Sequence, residues 1–373
     1  MKRILTFIIA SCISIASLAQ LTKEPYLIYT GNFETMKVMF QAKEPQVYIV
    51  SYGFTENYEI GSAQVSQLNK GKNENIFAYT FNFLKPNTKY NYRITDKHKL
   101  ESYSGHFLTG KQTSDKKVYF LVKGSDFSDG NTNDSLYKAL INFKNQEARY
   151  SSIILHTGNL VRKGSCEKSW NNDFFLNNNR NVRELYANTA LLSTMGYNDA
   201  KKSLFSENKK LYRKYLYYPY ESKKDCYYSA KFGNVKFIVL DQFADLNENS
   251  EQFNWLTKEL ESDSLFRKIV LMHSLIGRDN SKINELLFSL FETNNVKAVF
   301  TGNVEGYAHL KIGKIHCFSV GGKSFTNKKS NLEIETIKSV QESSFIAVKF
   351  EGDDLSISVF NADMEVIDFY SFE

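Results

Sequence analysis

The pattern of apolar residues changes once along this chain, and the change restricts the fold more than any single motif. Residues 25 to 108 hold short segments rich in β-branched and aromatic residues: Met36 to Phe40, Val47 to Ser51, Ile76 to Phe83, Tyr90 to Thr95 and Glu101 to Leu108. Turn residues such as Lys85-Pro86-Asn87-Thr88 part them, and Tyr90-Asn91-Tyr92-Arg93-Ile94 alternates in polarity. Alternation turns one face of each strand into a core, which predicts one sheet packed on another in an all-β sandwich. Thr109 to Lys117 is polar and aperiodic, the pattern of a linker. Beyond it come continuous apolar strands at Val118 to Val122, Ser152 to Leu155, Ala190 to Leu192, Val235 to Leu240, Lys268 to Met272 and Val296 to Phe300. Helical periods lie between them. Leu136, Leu140, Phe143 and Glu147 recur at helical spacing within Asp134 to Ala148, with Asn133 or Asp134 placed to cap. Gln252 to Leu260 and Ile283 to Phe291 read the same way. Strands alternating with helices predict an α/β domain. The tail, Ser344 to Phe350, Leu355 to Phe360 and Val366 to Tyr370, predicts an antiparallel meander closing a second sheet.

At 373 residues the chain is too long for one ordinary core, which agrees with two domains. Lys2 and Arg3, the apolar run Ile4 to Ile15, and Ser17-Leu18-Ala19 before Gln20 predict a signal peptide over residues 1–19. That run is too short to span a membrane, and no other segment has the ~20 consecutive apolar residues a spanning helix needs. The chain is therefore expected to be secreted, periplasmic or at the cell surface. Ile9-Ala10-Ser11-Cys12 fits a lipoprotein box more loosely, with Cys12 as the alternative anchor. Net charge is +6, and removing Lys2 and Arg3 leaves about +4. No stripe of Lys and Arg with interleaved aromatics marks a nucleic-acid face. Cleavage leaves Cys166, Cys226 and Cys317. At most one pair can form among them, and no Cys-x-x-Cys spacing suggests structural zinc.

A set of short motifs stands in one order along nearly the whole chain. It begins with Pro25-Tyr26-Leu27 and Leu84-Lys85-Pro86-Asn87-Thr88-Lys89-Tyr90. It continues through Lys123-Gly124, Leu155-His156-Thr157-Gly158, Gly196-Tyr197-Asn198-Asp199, Tyr227-Tyr228-Ser229 and Ile238-Val239-Leu240-Asp241. It ends with Trp255-Leu256, Met272-His273 and Thr301-Gly302-Asn303-Val304-Glu305. In this order the chain resembles the purple acid phosphatases of the calcineurin-like metallophosphoesterase superfamily. The resemblance implies a fibronectin type III-like β-sandwich over residues 20–110. It implies a four-layer αββα metallophosphoesterase domain over residues 117–373. It also implies a crevice in which two metal ions about 3.5–4 Å apart clamp a phosphate and supply a hydroxide.

Matched position by position, most of the ligands that the resemblance implies are replaced. Ser125 follows Gly124 where the family keeps an Asp, and Asp126 comes one position late. Asn159 stands for the bridging Asp, and a neutral amide bridges two cations poorly. Arg162 stands for the iron-binding Tyr, and its charge repels a metal ion. Tyr197 and Asn198 stand for Asn and the catalytic His. Asn303 and Glu305 replace two His, with Tyr307 keeping the register, and His273 survives.

The resemblance then implies a pseudo-phosphatase with no catalytic residue and no cofactor. Its remnant pocket holds Ser125, Asp126, Asn159, Arg162, Tyr197, Asn198, Asp199, His273, Asn303 and Glu305, and takes an anionic small molecule, a glycan or a protein. One alternative is a divergent phosphomonoesterase using one divalent ion held by Asp126, Asp199, His273 and Glu305. Another is a structural surface module with no pocket. Arg162 is expected at the crevice floor, matched to phosphate or carboxylate oxygens; its other destinations are solvent, Asp199 or Glu305. His156, His309, His316 and Asp241 read as structural. Tyr212, Tyr215, Tyr217, Tyr218 and Tyr220 crowd one stretch. Exposed, they would stack on sugars or proteins; buried, they would pack on the sheet.

Overall fold

The computed structural model describes residues 21–71, 74–98, 102–125, 127–128, 131–132, 134–176, 179–203, 206–275, 281–303, 306–321 and 332–372. The signal-peptide reading, Cys12, Asn133, Asp126 and Glu305 lie outside the described residues.

The alternating segments form a sandwich. One leaf has the strands Gly61–Gln64, Tyr48–Gly53, Lys89–Asp96 and Ser102–Leu108 in that order. The other has Leu21–Tyr29, Met36–Ala42, Glu74–Phe81 and Ser66–Gly71. Lys89–Asp96 shows why: Tyr90, Tyr92, Ile94 and Asp96 are buried, and the residues between them are not. Its inward ring Tyr92, and Phe107 of the neighbouring strand, meet the facing leaf, Phe81 lying 5.9 Å from Tyr92 and 5.1 Å from Phe107. Asn87, in the turn before this strand, takes a left-handed φ of 46°, which Asn tolerates better than most residues.

The second leaf does not end with the sandwich. Leu21–Tyr29 pairs in parallel with Ala190–Ser193 through Ile28 and Leu191. A ten-stranded sheet results, continuing through Ile153–His156 and Lys117–Lys123 to Ser344–Glu351, Asp354–Asn361 and Val366–Phe372. The C-terminal meander thus extends the sheet of Lys117–Lys123. A seven-stranded sheet packs against it, ordered Tyr228–Phe232, Val235–Val239, Arg267–Leu271, Val296–Thr301, Ile315–Gly321, Gly306–Ile312 and Ile334–Val340.

The continuous apolar strands are buried on both faces, as parallel strands between layers must be. Phe237, Ile269, Leu271 and Phe300 point toward the first sheet, where Phe120 meets Phe237 at 5.0 Å. Ile238, Val270 and Val299 point outward, under Leu256 and Leu260 of the helix Glu251–Glu261 and Phe291 of Ser281–Thr293. On the far face, Asp134–Gln146 sets Phe143 against Phe345 and Phe360 at 5.5 and 5.0 Å. The layers are helix, sheet, sheet, helix. Ser250 starts Glu251–Glu261 by accepting from Phe253 N at 3.2 Å, an N-cap bond. No helix among the described residues is long and apolar enough to cross a membrane. Cys166, Cys226 and Cys317 are all free thiols.

Candidate functional site

The loops at the carboxyl ends of the parallel strands of both sheets come together, the place where open α/β sheets bind ligands. The loops meeting there are Gly124-Ser125, Thr157 to Arg162, Thr194 to Asp199, Met272 to Ser274 and Gly302-Asn303. They touch backbone to backbone. A Cβ on Gly158, whose φ is +91°, would stand 2.7 Å from Gly196 N and 2.8 Å from His273 Nδ1. One on Gly302 would stand 2.3 Å from Thr157 Oγ1, and one on Gly124 would lie 2.0 Å from Val320 O. Close approach requires glycine at all three positions, and at Gly158 φ does as well.

His273 is buried, and its Nδ1 lies 2.7 Å from Thr157 O. A carbonyl only accepts, so Nδ1 carries the proton. Nε2 is buried with no hydrogen-bond partner among the described residues. Burial lowers this histidine to about pKa 4, so the ring is neutral and Nε2 offers a lone pair. His156 lies alongside, its Nδ1 accepting from Gly158 N at 3.2 Å. Burial, then the charges of Lys123 and His273, hold it well below the ordinary imidazole range. Lys123 is fully buried, its ammonium 4.6 Å from the Tyr137 ring centroid. A buried cation here has no role in the pocket named from sequence. Its signal there is one Lys closing the apolar run Val118 to Val122.

Asn159, at φ 56°, turns its Oδ1 to accept from Asn198 N at 2.8 Å. Asp199 is fully buried and accepts from Val161 N at 3.0 Å and Gly196 N at 2.8 Å. Burial raises its carboxyl to about 7 against the pull of backbone N–H groups. Asp199 therefore braces the loops carrying Val161 and Gly196 against each other. Arg162 has Asp173 as a counter-charge: Asp173 Oδ1 lies 3.4 Å from its Nη1, and Asp173 Oδ2 accepts from its backbone N–H at 2.9 Å. Tyr197 is 44% exposed and faces Phe243, with ring centroids 6.5 Å apart. Asn303 Nδ2 reaches Ser274 Oγ at 3.4 Å. So Asn159, Asn198, Asp199, His273 and Asn303 lie on loops that the fold brings together, with Arg162 beside Asp173 and Tyr197 beside Phe243.

No family model matches the sequence, and no curated protein matches it. Solved structures do. A purple acid phosphatase from yellow lupin (Lupinus luteus) seeds superposes with a TM-score of 0.74 at 14% identity, over 93% of this chain and 73% of that one. PhoD superposes with a TM-score of 0.69 at 11% identity, over 96% of this chain and 93% of that one. The chain has the metallophosphoesterase fold. At these identities the likeness carries the fold and leaves the chemistry to the residues.

A metallophosphoesterase crevice needs carboxylates and imidazoles to hold two cations. The described residues do not fit that demand. Among them no three His, Cys, Asp or Glu side chains converge as a metal would need. Asn159 brings an amide, Asp199 is spent on backbone N–H groups, and Arg162 brings a positive charge. His273 alone keeps a ligand's posture, with Nδ1–H on a carbonyl and Nε2 free, as metal-bound imidazoles have.

Proposed function

We propose that this chain is an exported phosphoesterase-fold binding protein. In this reading it has lost the dinuclear hydrolytic centre and uses the crevice to hold an anion, a glycan or a protein partner. One observation carries this reading: the crevice side chains serve the chain itself. Asn159 and Asp199 hold loop N–H groups at 2.8 to 3.0 Å, and Arg162 is paired with Asp173. Elemental analysis of protein purified without chelators is expected to find less than one tightly bound transition metal per chain, and phosphomonoester turnover is expected at background. Two equivalents of iron, zinc or manganese would overturn the reading.

The posture of His273 favours a second reading, a hydrolase built around one metal ion. Its buried, unpartnered Nε2 is the atom such an ion would take, with Asp126 and Glu305 as further donors. Turnover that disappears in His273→Ala would establish it in place of the first.

A further inference from the structure

We propose a second binding site, separate from the crevice, for an acidic saccharide. It is the groove between the edge of the sandwich and the tyrosine-rich stretch that follows the helix Lys210–Tyr215.

A cavity of about 580 Å³ opens there, within the range of small-molecule sites. Leu68, on the edge strand Ser66–Gly71, and Ile76 line it from the sandwich; Lys210, Arg213, Tyr217 and Tyr220 line it from the other side. The tyrosines are held, not loose. Lys37 donates to Tyr217 O at 3.1 Å and lies 4.4 Å from the ring centroid, which holds the ring in place. Tyr217 still leaves 50% of its surface open. The Arg213 guanidinium lies 4.5 Å from the Tyr220 ring while donating to the Asp225 carbonyl. Tyr220 packs edge-on to Tyr218 and Tyr228 at 6.0 and 5.6 Å. Lys210 is exposed and makes no ion pair among the described residues. Among the described residues no Asp or Glu lines the cavity.

Two features meet in this groove, fixed aromatic faces and the cations Lys210 and Arg213; a third cation of the lining, Lys214, is paired with Glu167 at 3.8 Å. A bare inorganic anion would use only the cations, and a neutral sugar only the faces. A sugar ring bearing a carboxylate or sulfate uses both, its C–H face on a tyrosine and its oxygens on Lys210 and Arg213. Tyr217, Tyr220 and Arg213 are already held in place, which lowers the ordering cost of binding. The site depends on the groove alone and stands whatever becomes of the crevice reading.

Calorimetry on the full mature chain tests it, with digalacturonate, a sulfated disaccharide, a neutral disaccharide and inorganic sulfate as probes. The acidic disaccharides are expected to bind, and the neutral sugar and bare sulfate to bind much more weakly. Lys210→Glu, at an exposed position, is expected to weaken the acidic probes roughly tenfold or more. Tyr217→Ala should weaken them as well, with Lys210→Glu deciding the matter if that variant folds poorly. Arg162→Ala, in the crevice, should leave them unchanged. No binding of acidic disaccharides, sulfate binding as tightly as they do, or equal affinity in Lys210→Glu would each overturn the proposal. Binding lost on Arg162→Ala and kept in Lys210→Glu would overturn it too, and assign the ligand to the crevice.

Discussion

Asn159 shows how a former ligand position is put to structural use. Its backbone is left-handed at φ 56°, and its side chain holds Asn198 N. Asn is among the few residues that enter this conformation readily. Replacement by Ala loses the acceptor and adds backbone strain; replacement by Gly loses the acceptor alone. Urea unfolding is expected to show both variants destabilised, Asn159→Ala by about 1 kcal/mol more than Asn159→Gly. Equal midpoints would mean that the loop relaxes and position 159 carries no conformational demand. At this scale the sequence was legible where chemistry is local. His273 closes an apolar strand, and the substitutions at 159, 162 and 303 show in the motifs themselves. The partner of Arg162 was not legible, because the apolar residues of the short π-helix Trp170–Phe175 are too few to fix a period, and so do not show that Asp173 turns toward residue 162. Nor could sequence tell that Tyr212, Tyr215 and Tyr218 are buried while Tyr217 is open, since tyrosine suits both settings.

Among elements, the strands with clear alternation or continuous apolar runs were legible to within a few residues, as were the helices with a strong period. The helix Arg180–Asn188 was not. It has only Val182, Leu185 and Tyr186 facing inward, and its start is set by Asn179 capping Asn181 N and Val182 N. The C-terminal strand Val366–Phe372 was foreseen as part of a meander, but what fastens it was not. Tyr307 donates to Asp368 at 2.7 Å, His309 Nε2 lies 2.9 Å from His316 Nδ1, and Tyr370 lies 3.2 Å from His316 Nε2. These contacts tie the last strand of one sheet to the hairpin Gly306–Ile312 and Ile315–Gly321 of the other. Burial, then the neighbouring His316, lowers His309 to about pKa 4, with Asp368 at 3.8 Å acting the other way. His316 is lowered by burial and Lys311, with Glu335 opposing. The unfolded chain holds these imidazoles near pKa 6.5, so between about pH 6.5 and 4 it binds more protons than the folded one. Their contribution is present above that window and is lost as pH falls through it. The stability advantage of wild type over His309→Phe, which keeps ring packing against Phe318, should therefore shrink on acidification from pH 7 to 4. A constant difference between the two proteins across that range would show that the seam does not titrate.

Over the whole molecule, the sandwich and the layered unit share one sheet and one core, which a change of pattern at residue 109 does not suggest. A single registered pair, Ile28 with Leu191, carries the sheet across. Pairing between strands distant in sequence leaves no local signal when each already has an apolar pattern of its own. The join is reinforced on both sides. Tyr92 donates to Ala187 O at 2.8 Å, and Tyr26 to Tyr215 O at 2.8 Å. Lys23 is buried in the first strand, 2.7 Å from Glu167 and 4.6 Å from the centroid of Tyr215. A buried ammonium is costly to leave without its carboxylate, and Glu167 is 31% exposed, so Glu167→Ala is expected to cost about 1–3 kcal/mol rather than the full value of an interior pair. Chains of this length commonly unfold domain by domain. Here the shared strand predicts one transition, in which amides of Lys89–Asp96 in the sandwich and of Val235–Val239 in the layered unit lose their deepest protection at the same free energy. Hydrogen exchange in rising denaturant, on wild type and Glu167→Ala, measures this directly. The substitution should lower both sets of amides by the same amount. If only the sandwich amides shift, the two units are separate in energy as well as in pattern, and the continuous sheet is a contact rather than a common core.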